Sequence, residues 1–152
     1  MLYLILLLVL IFAALVFATA FTIDDWSRDL SMNRAETSAD AKDPRLHPIQ
    51  STLLPADLAE VVESTAERLT GWKPSQAKDG YKTVTDEKTE IRFERTTRVW
   101  RFVDDVVVTI TPTETGSELH ATSQSRVGRG DLGQNPRNLA ELLERVRDCI
   151  RE

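Results

Sequence analysis

Glu118-Leu119-His120-Ala121-Thr122-Ser123-Gln124-Ser125-Arg126-Val127 alternates residue by residue. Leu119, Ala121, Ser123, Ser125 and Val127 fall on one side of an extended chain. Glu118, His120, Thr122, Gln124 and Arg126 fall on the other. A period of two with one apolar or small side and one polar side predicts a strand with one covered and one wet face. Such a strand belongs to an antiparallel sheet, because parallel strands are buried on both faces and read as continuous apolar runs.

Outward from this strand the chain alternates between turns and periodic segments. Downstream, Gly128 to Gly133 is glycine-rich, and Asn135-Pro136 predicts a helix start with Asn135 as cap and Pro136 at the first position. Leu139, Leu142, Leu143, Val146 and Ile150 then form one apolar stripe at helical spacing. Cys149 sits at the stripe's edge and is read as a core thiol. Upstream, Thr115-Gly116-Ser117 turns the chain, Val106 to Thr111 and Val99 to Phe102 are rich in strand formers, and Ile91, Phe93 and Arg95 alternate with Glu90, Arg92 and Glu94. Tyr81 to Val84 follows Asp79-Gly80, a hairpin-turn signal. Before that, Pro55 opens a helix whose stripe is Leu58, Val61, Val62, Thr65 and Leu69, with Gly71 at its end. The expected fold is α+β: an antiparallel meander of four or five strands flanked by two amphipathic helices, plus one N-terminal transmembrane or signal helix.

That N-terminal stretch, residues 1–23, reads MLYLILLLVLIFAALVFATAFTI and contains no charge, proline or glycine. As a helix it would be about 34 Å long, against hydrocarbon of about 30 Å. Ala18-Thr19-Ala20 resembles a signal cleavage site, but the basic n-region of a secretory signal is missing. An uncleaved anchor is favoured, with a cleaved, secreted form as the alternative. Arg28, Arg34 and Lys42 follow the segment and none precedes it, which by the positive-inside rule places the domain in the cytoplasm. The cleavage-like site points the other way, and the extracytoplasmic side is favoured. Residues 24–54 have neither helical nor strand period and read as a solvated tether. Trp26, Leu30, Met32, Leu46 and Ile49 are anchors that lay part of it on the domain. The division is thus 1–23 anchor or signal, 24–54 extended segment, and 55–152 the α+β domain.

The net charge is -5 over 152 residues, and every charged side chain lies after Ile23. A mildly acidic domain argues against nucleic acid as a partner and against simple electrostatic adhesion to anionic lipid. A single cysteine excludes an internal disulfide.

Gly128-Arg129-Gly130-Asp131-Leu132-Gly133 matches G-x-G-x-x-G after a strand and before a helix. A dinucleotide site needs a second parallel strand beyond the helix, and Asp131 would set a carboxylate where pyrophosphate belongs. The segment reads instead as a tight strand-to-helix turn. Arg129-Gly130-Asp131 also matches an adhesion tripeptide, a coincidence at three residues. Asp104-Asp105 could hold a metal or do acid–base work, but adjacent residues in a strand point to opposite faces, and a local turn is the plainer reading. His47 and His120 are the only histidines, and no Cys/His cluster has zinc spacing. Ser123 and Ser125 lack a neighbouring base. No cofactor and no metal are expected. The ligand-binding candidates are Asp104, Asp105, Ser125, Arg126, Asp131 and Asn135, with Arg126 able to reach Asp131 or Asp104.

Three stretches carry a family likeness: Trp26-Ser27-Arg28-Asp29-Leu30-Ser31-Met32-Asn33-Arg34-Ala35-Glu36-Thr37, Phe102-Val103-Asp104-Asp105-Val106, and Ser123-Gln124-Ser125-Arg126-Val127-Gly128-Arg129-Gly130-Asp131-Leu132-Gly133-Gln134-Asn135. Together they resemble the uncharacterised family called domain of unknown function 1499. An arginine common in members just before the last motif is absent here, where Ala121-Thr122 stand. The resemblance implies that residues 24–54 belong to the domain, and it implies no reaction. The expectation is a membrane-attached accessory or ligand-binding domain without visible catalytic machinery. The alternative is a hydrolase-like or metal-dependent enzyme using Asp104, Asp105 or Asp131. A pocket joining at least two of those carboxylates to Arg126 would favour the enzyme.

Overall fold

The structure is a computed structural model that describes residues 1–22, 33–98, 101–128 and 132–151 and, for Leu2 and residues 15–22, the backbone. Its centre is three long antiparallel strands, β5 (Thr89–Thr96), β6 (Val103–Thr113) and β7 (Gly116–Ser125). Their alternation sorts the side chains as period two requires. Val106, Val108, Ile110, Leu119 and Ala121 point to one face and are fully buried. That face is covered by α2 (Pro55–Arg68) and α3 (Gln134–Arg151). Leu58 and Val62 of α2 and Leu139, Leu142, Leu143 and Val146 of α3 complete one core.

The described residues form seven strands rather than four or five. Lys82–Val84 is the strand expected at Tyr81 to Val84, and the three strands not expected, Arg34–Glu36, Ile49–Ser51 and Trp72–Pro74, have three residues each, too few to show alternation in sequence. β1 (Arg34–Glu36) and β2 (Ile49–Ser51) lie one after the other along β7, and β3 (Trp72–Pro74) and β4 (Lys82–Val84) do the same along β5. The sheet order is therefore β1-β7-β6-β5-β3, with β2 beside β7 and β4 beside β5. Asp79-Gly80 does not close a hairpin, because β3 and β4 both pair with β5.

Residues 33–54 are not a solvated tether. Ala35 of β1, Leu46 in a 3-10 turn at Pro44–Leu46, and Ile49 of β2 are all buried in the core. Trp26, Leu30 and Met32 lie outside the described residues, as does Val99. Arg101 and Phe102 precede β6 instead of extending it, and Val127 lies beyond β7 and is exposed. α2 ends at Arg68, before Gly71. Cys149 is exposed, so it is not a core thiol.

α1 (Leu2–Thr22) is a helix of 21 residues without acidic or basic residues in its end turns. Its described side chains, Tyr3 to Ala14, are all exposed. Among the described residues no helix is long and apolar enough to cross a membrane. The expected spanning or signal helix is thus not established by the fold.

Candidate functional site

Along β6 the residues Asp104 and Asp105 are neighbours in a strand, not in a turn, and so diverge to opposite faces of the sheet. The candidate residues divide accordingly into two groups.

The first group lies under the helices. Asp104 is only 1 % exposed. Asn138 Nδ2 donates to Asp104 Oδ2 at 2.8 Å and to Ser123 Oγ at 3.2 Å. Ser123 Oγ donates to Asn135 Oδ1 at 2.6 Å. Asn135 Nδ2 donates to Ser125 Oγ at 3.1 Å and to the Asn33 carbonyl at 2.8 Å. Gln134 Nε2 donates to Asn138 Oδ1 at 2.7 Å. Three residues apart on a helix, Asn135 and Asn138 share a face, and here they continue the apolar stripe of α3 as its polar first turn. Asn135 does not cap the helix. It is fully buried inside α3, tying that helix to β7 and to Asn33.

The second group lies on the helix-free face. Arg126 sends Nε to Asp105 Oδ2 at 2.9 Å and Nη2 to Asp105 Oδ1 at 2.6 Å, a two-point grip on one carboxylate. Nη2 also donates to Glu94 Oε1 at 2.8 Å, and Lys73 Nζ lies 3.0 Å from Glu94 Oε2. Arg126 thus reaches Asp105 and Glu94 rather than Asp104. Hydrogen bonds from Arg126 and then Lys73 hold the Glu94 carboxyl below its ordinary value, against the opposing effect of burial. The same bonds to Asp105 and Glu94 push the Arg126 guanidinium further up. Ser75, Gln76, Phe93 and Val107 border the pair and leave a shallow depression of about 370 Å³ beside it.

Asp131, with Arg129 and Gly130, lies outside the described residues. Of the two expected carboxylates among the described residues, Asp105 meets Arg126 and Asp104 lies on the opposite face. Ser123 is held by asparagine amides. His120 Nδ1 lies 3.3 Å from Thr37 Oγ1, and His47 Nε2 lies 2.9 Å from the Ala41 carbonyl. Among the described residues no group of three or more His, Cys, Asp and Glu side chains is placed to hold a metal. The two groups as built can rigidify the sheet and present a paired guanidinium to solvent.

Sequence reasoning passed over Asn33, Glu94 and Asn138. Helical spacing from Asn135 marks Asn138, and the alternation of β5 puts Glu94 on the wet face with Arg126. No local signal marks Asn33.

The model of the family described as "Protein of unknown function (DUF1499)" matches residues 25–146. Among curated proteins none matches the chain, and none does among solved structures.

Proposed function

The chain belongs to DUF1499, a family of unknown function, and from the apolar helix that precedes the matched residues we propose a membrane-attached accessory or ligand-binding domain that carries out no reaction of its own. The observation that carries the reading is α1. It runs 21 residues without a charge, and every described side chain from Tyr3 to Ala14 is exposed. At about 1.5–3 kcal/mol for each large apolar side chain, leaving this helix in water is expensive, and a bilayer removes the cost. The described side chains Tyr3 to Ala14 are too few to span hydrocarbon by themselves, but the sequence stays uncharged through Ile23, and a 21-residue helix is about 32 Å long against roughly 30 Å of bilayer hydrocarbon. The non-catalytic part rests on the divergence of Asp104 and Asp105 and on Arg126 being engaged by two carboxylates. The domain is placed on the extracytoplasmic side, following Ala18-Thr19-Ala20.

Membrane fractionation tests this. The full chain is expected to stay in the pellet through an alkaline carbonate wash and to leave it in detergent. A chain lacking residues 1–23 is expected in the soluble fraction with its far-ultraviolet spectrum intact. Release of the full chain by carbonate alone would sink the proposal.

A further inference from the structure

The end of the sheet where β5 stops, β6 starts and β7 stops carries three exposed apolar side chains. Phe102 is 49 % exposed, Val127 66 % and Leu132 49 %. They stand on adjoining loops, since Arg126 N–H donates to the Val103 carbonyl at 3.2 Å. The loop before β6 is closed by Thr97 N–H to the Phe102 carbonyl at 2.8 Å and by Phe102 N–H to Thr97 Oγ1 at 2.9 Å. That closure leaves Arg98 and Arg101 exposed beside Phe102. Arg101 at φ 58° and Leu132 at φ 52° hold left-handed backbone, which costs a non-glycine residue energy and persists only where its surroundings enforce it. The opposite end of the sheet differs in charge: the exposed tips there carry Asp86, Glu87 and Glu114 against one cation, Lys88, which is paired with Glu90.

The chain arriving from α1 is fastened at the apolar end. Asn33 Nδ2 donates to the Gly128 carbonyl at 3.0 Å, and Ser125 N–H donates to the Asn33 carbonyl at 2.9 Å. Only residues 23–32 separate Asn33 from Thr22, a stretch that reaches at most about 40 Å when fully extended.

We infer that this end of the domain is a second membrane contact: Phe102, Val127 and Leu132 enter the interfacial layer of the same bilayer that holds α1, with Arg98 and Arg101 at the headgroups. The inference rests on the membrane reading of α1 and adds an orientation to it. Apolar tips flanked by arginines suit the boundary between headgroups and acyl chains, where the apolar group is buried and the cation stays hydrated. The acidic far end points away from anionic headgroups.

The test uses the full chain in vesicles of phosphatidylcholine with phosphatidylglycerol. Cys149 is the sole cysteine and is exposed, so Cys149→Ser provides a thiol-free background. Single thiols are introduced by Phe102→Cys, Val127→Cys, Thr115→Cys and Leu8→Cys and labelled with an environment-sensitive fluorophore. Far-ultraviolet spectra verify that each variant folds. Labels at 8, 102 and 127 are expected to shift to the blue and to be quenched by nitroxide-bearing lipid several-fold more than the label at 115. If the label at 8 is quenched but those at 102 and 127 match 115, the second contact is wrong and the anchor stands. If the label at 8 is also unquenched, the anchor is wrong and the second contact falls with it.

Discussion

Asn138 and Asp104 meet in the interior, the Asn138 amide donating at 2.8 Å to a carboxylate that is 1 % exposed. The contact ties the first turn of α3 to the start of β6 across the helix–sheet boundary. Because the same amide group also donates to Ser123 Oγ, one side chain serves two strands.

Removing that amide leaves a buried carboxylate without its donor, which costs more than the hydrogen bond itself contributed. Asn138→Leu is expected to lower stability by about 3 kcal/mol, read from urea melts. In the Asp104→Leu background the same substitution should cost much less, because no stranded acceptor remains. Equal costs in both backgrounds would mean that the contact is not coupled.

The central sheet was legible in the sequence because β5, β6 and β7 are long enough for alternation to declare itself. Both helices were legible from stripes such as Leu139, Leu142, Leu143 and Val146. The edge strands were not, since Arg34–Glu36 and Ile49–Ser51 are recognisable only through their pairing with β7. The buried polar group was half legible. Ser123, Ser125 and Asn135 stood out, but Asn135 next to Pro136 looks like a cap. Only the tertiary position of Asn33 reveals its other role. Arg126 was placed on the face opposite Ser125, but its partners Asp105 and Glu94 take the place of Asp104, one of the two expected, because Glu94 is distant in sequence and adjacent only across the sheet; Asp131, the other, lies outside the described residues.

Asn135→Ala discriminates between cap and lock. Loss of an N-cap costs about 1 kcal/mol and loosens only the helix end. Loss of a buried side chain bonded to Ser123, Ser125 and Asn33 should cost about 3 kcal/mol. Hydrogen exchange should also accelerate in β1, which Asn33 precedes. Acceleration confined to the first turn of α3 would restore the cap reading.

The N-terminal edge is part of the core by the burial of Leu46 and Ile49. Leu46→Ala and Ile49→Ala should each cost about 2–5 kcal/mol, and deletion of residues 24–54 should abolish the cooperative melt. An unchanged melting temperature on that deletion would make the segment a tether after all.

Gly116 and Gly80 both hold positive φ, at 150° and 81°, but their surroundings differ. A Cβ on Gly116 would collide with the Ser51 carbonyl oxygen and the Thr52 backbone, whereas one on Gly80 would meet nothing within 4 Å. Gly80→Ala should cost about 1 kcal/mol from backbone strain alone. Gly116→Ala should cost more and should detach β2 from β7. Equal melting temperatures for the two variants would contradict the close approach.

Arg126 offers a prediction with a pH signature. Arg126 and Asp105 are nearly half exposed, so solvent screening limits the loss in Arg126→Ala to about 1 kcal/mol at neutral pH. The sign with pH follows from Glu94, whose carboxyl is held below its ordinary value of 4.5, first by Arg126 and then by Lys73. A depressed folded value means stabilisation that is present above the unfolded value and lost as pH falls through the folded one. In Arg126→Ala the Glu94 value rises back towards 4.5, so the variant has less stability to lose on acidification. The gap between the wild-type and variant chains should be widest above about pH 5 and should narrow towards about pH 3. Guanidinium melts across that range measure it. A gap constant with pH would mean that Arg126 does not act through Glu94. A variant with unchanged melting temperature that no longer binds an anionic ligand would make Arg126 a binding residue rather than a joint between strands.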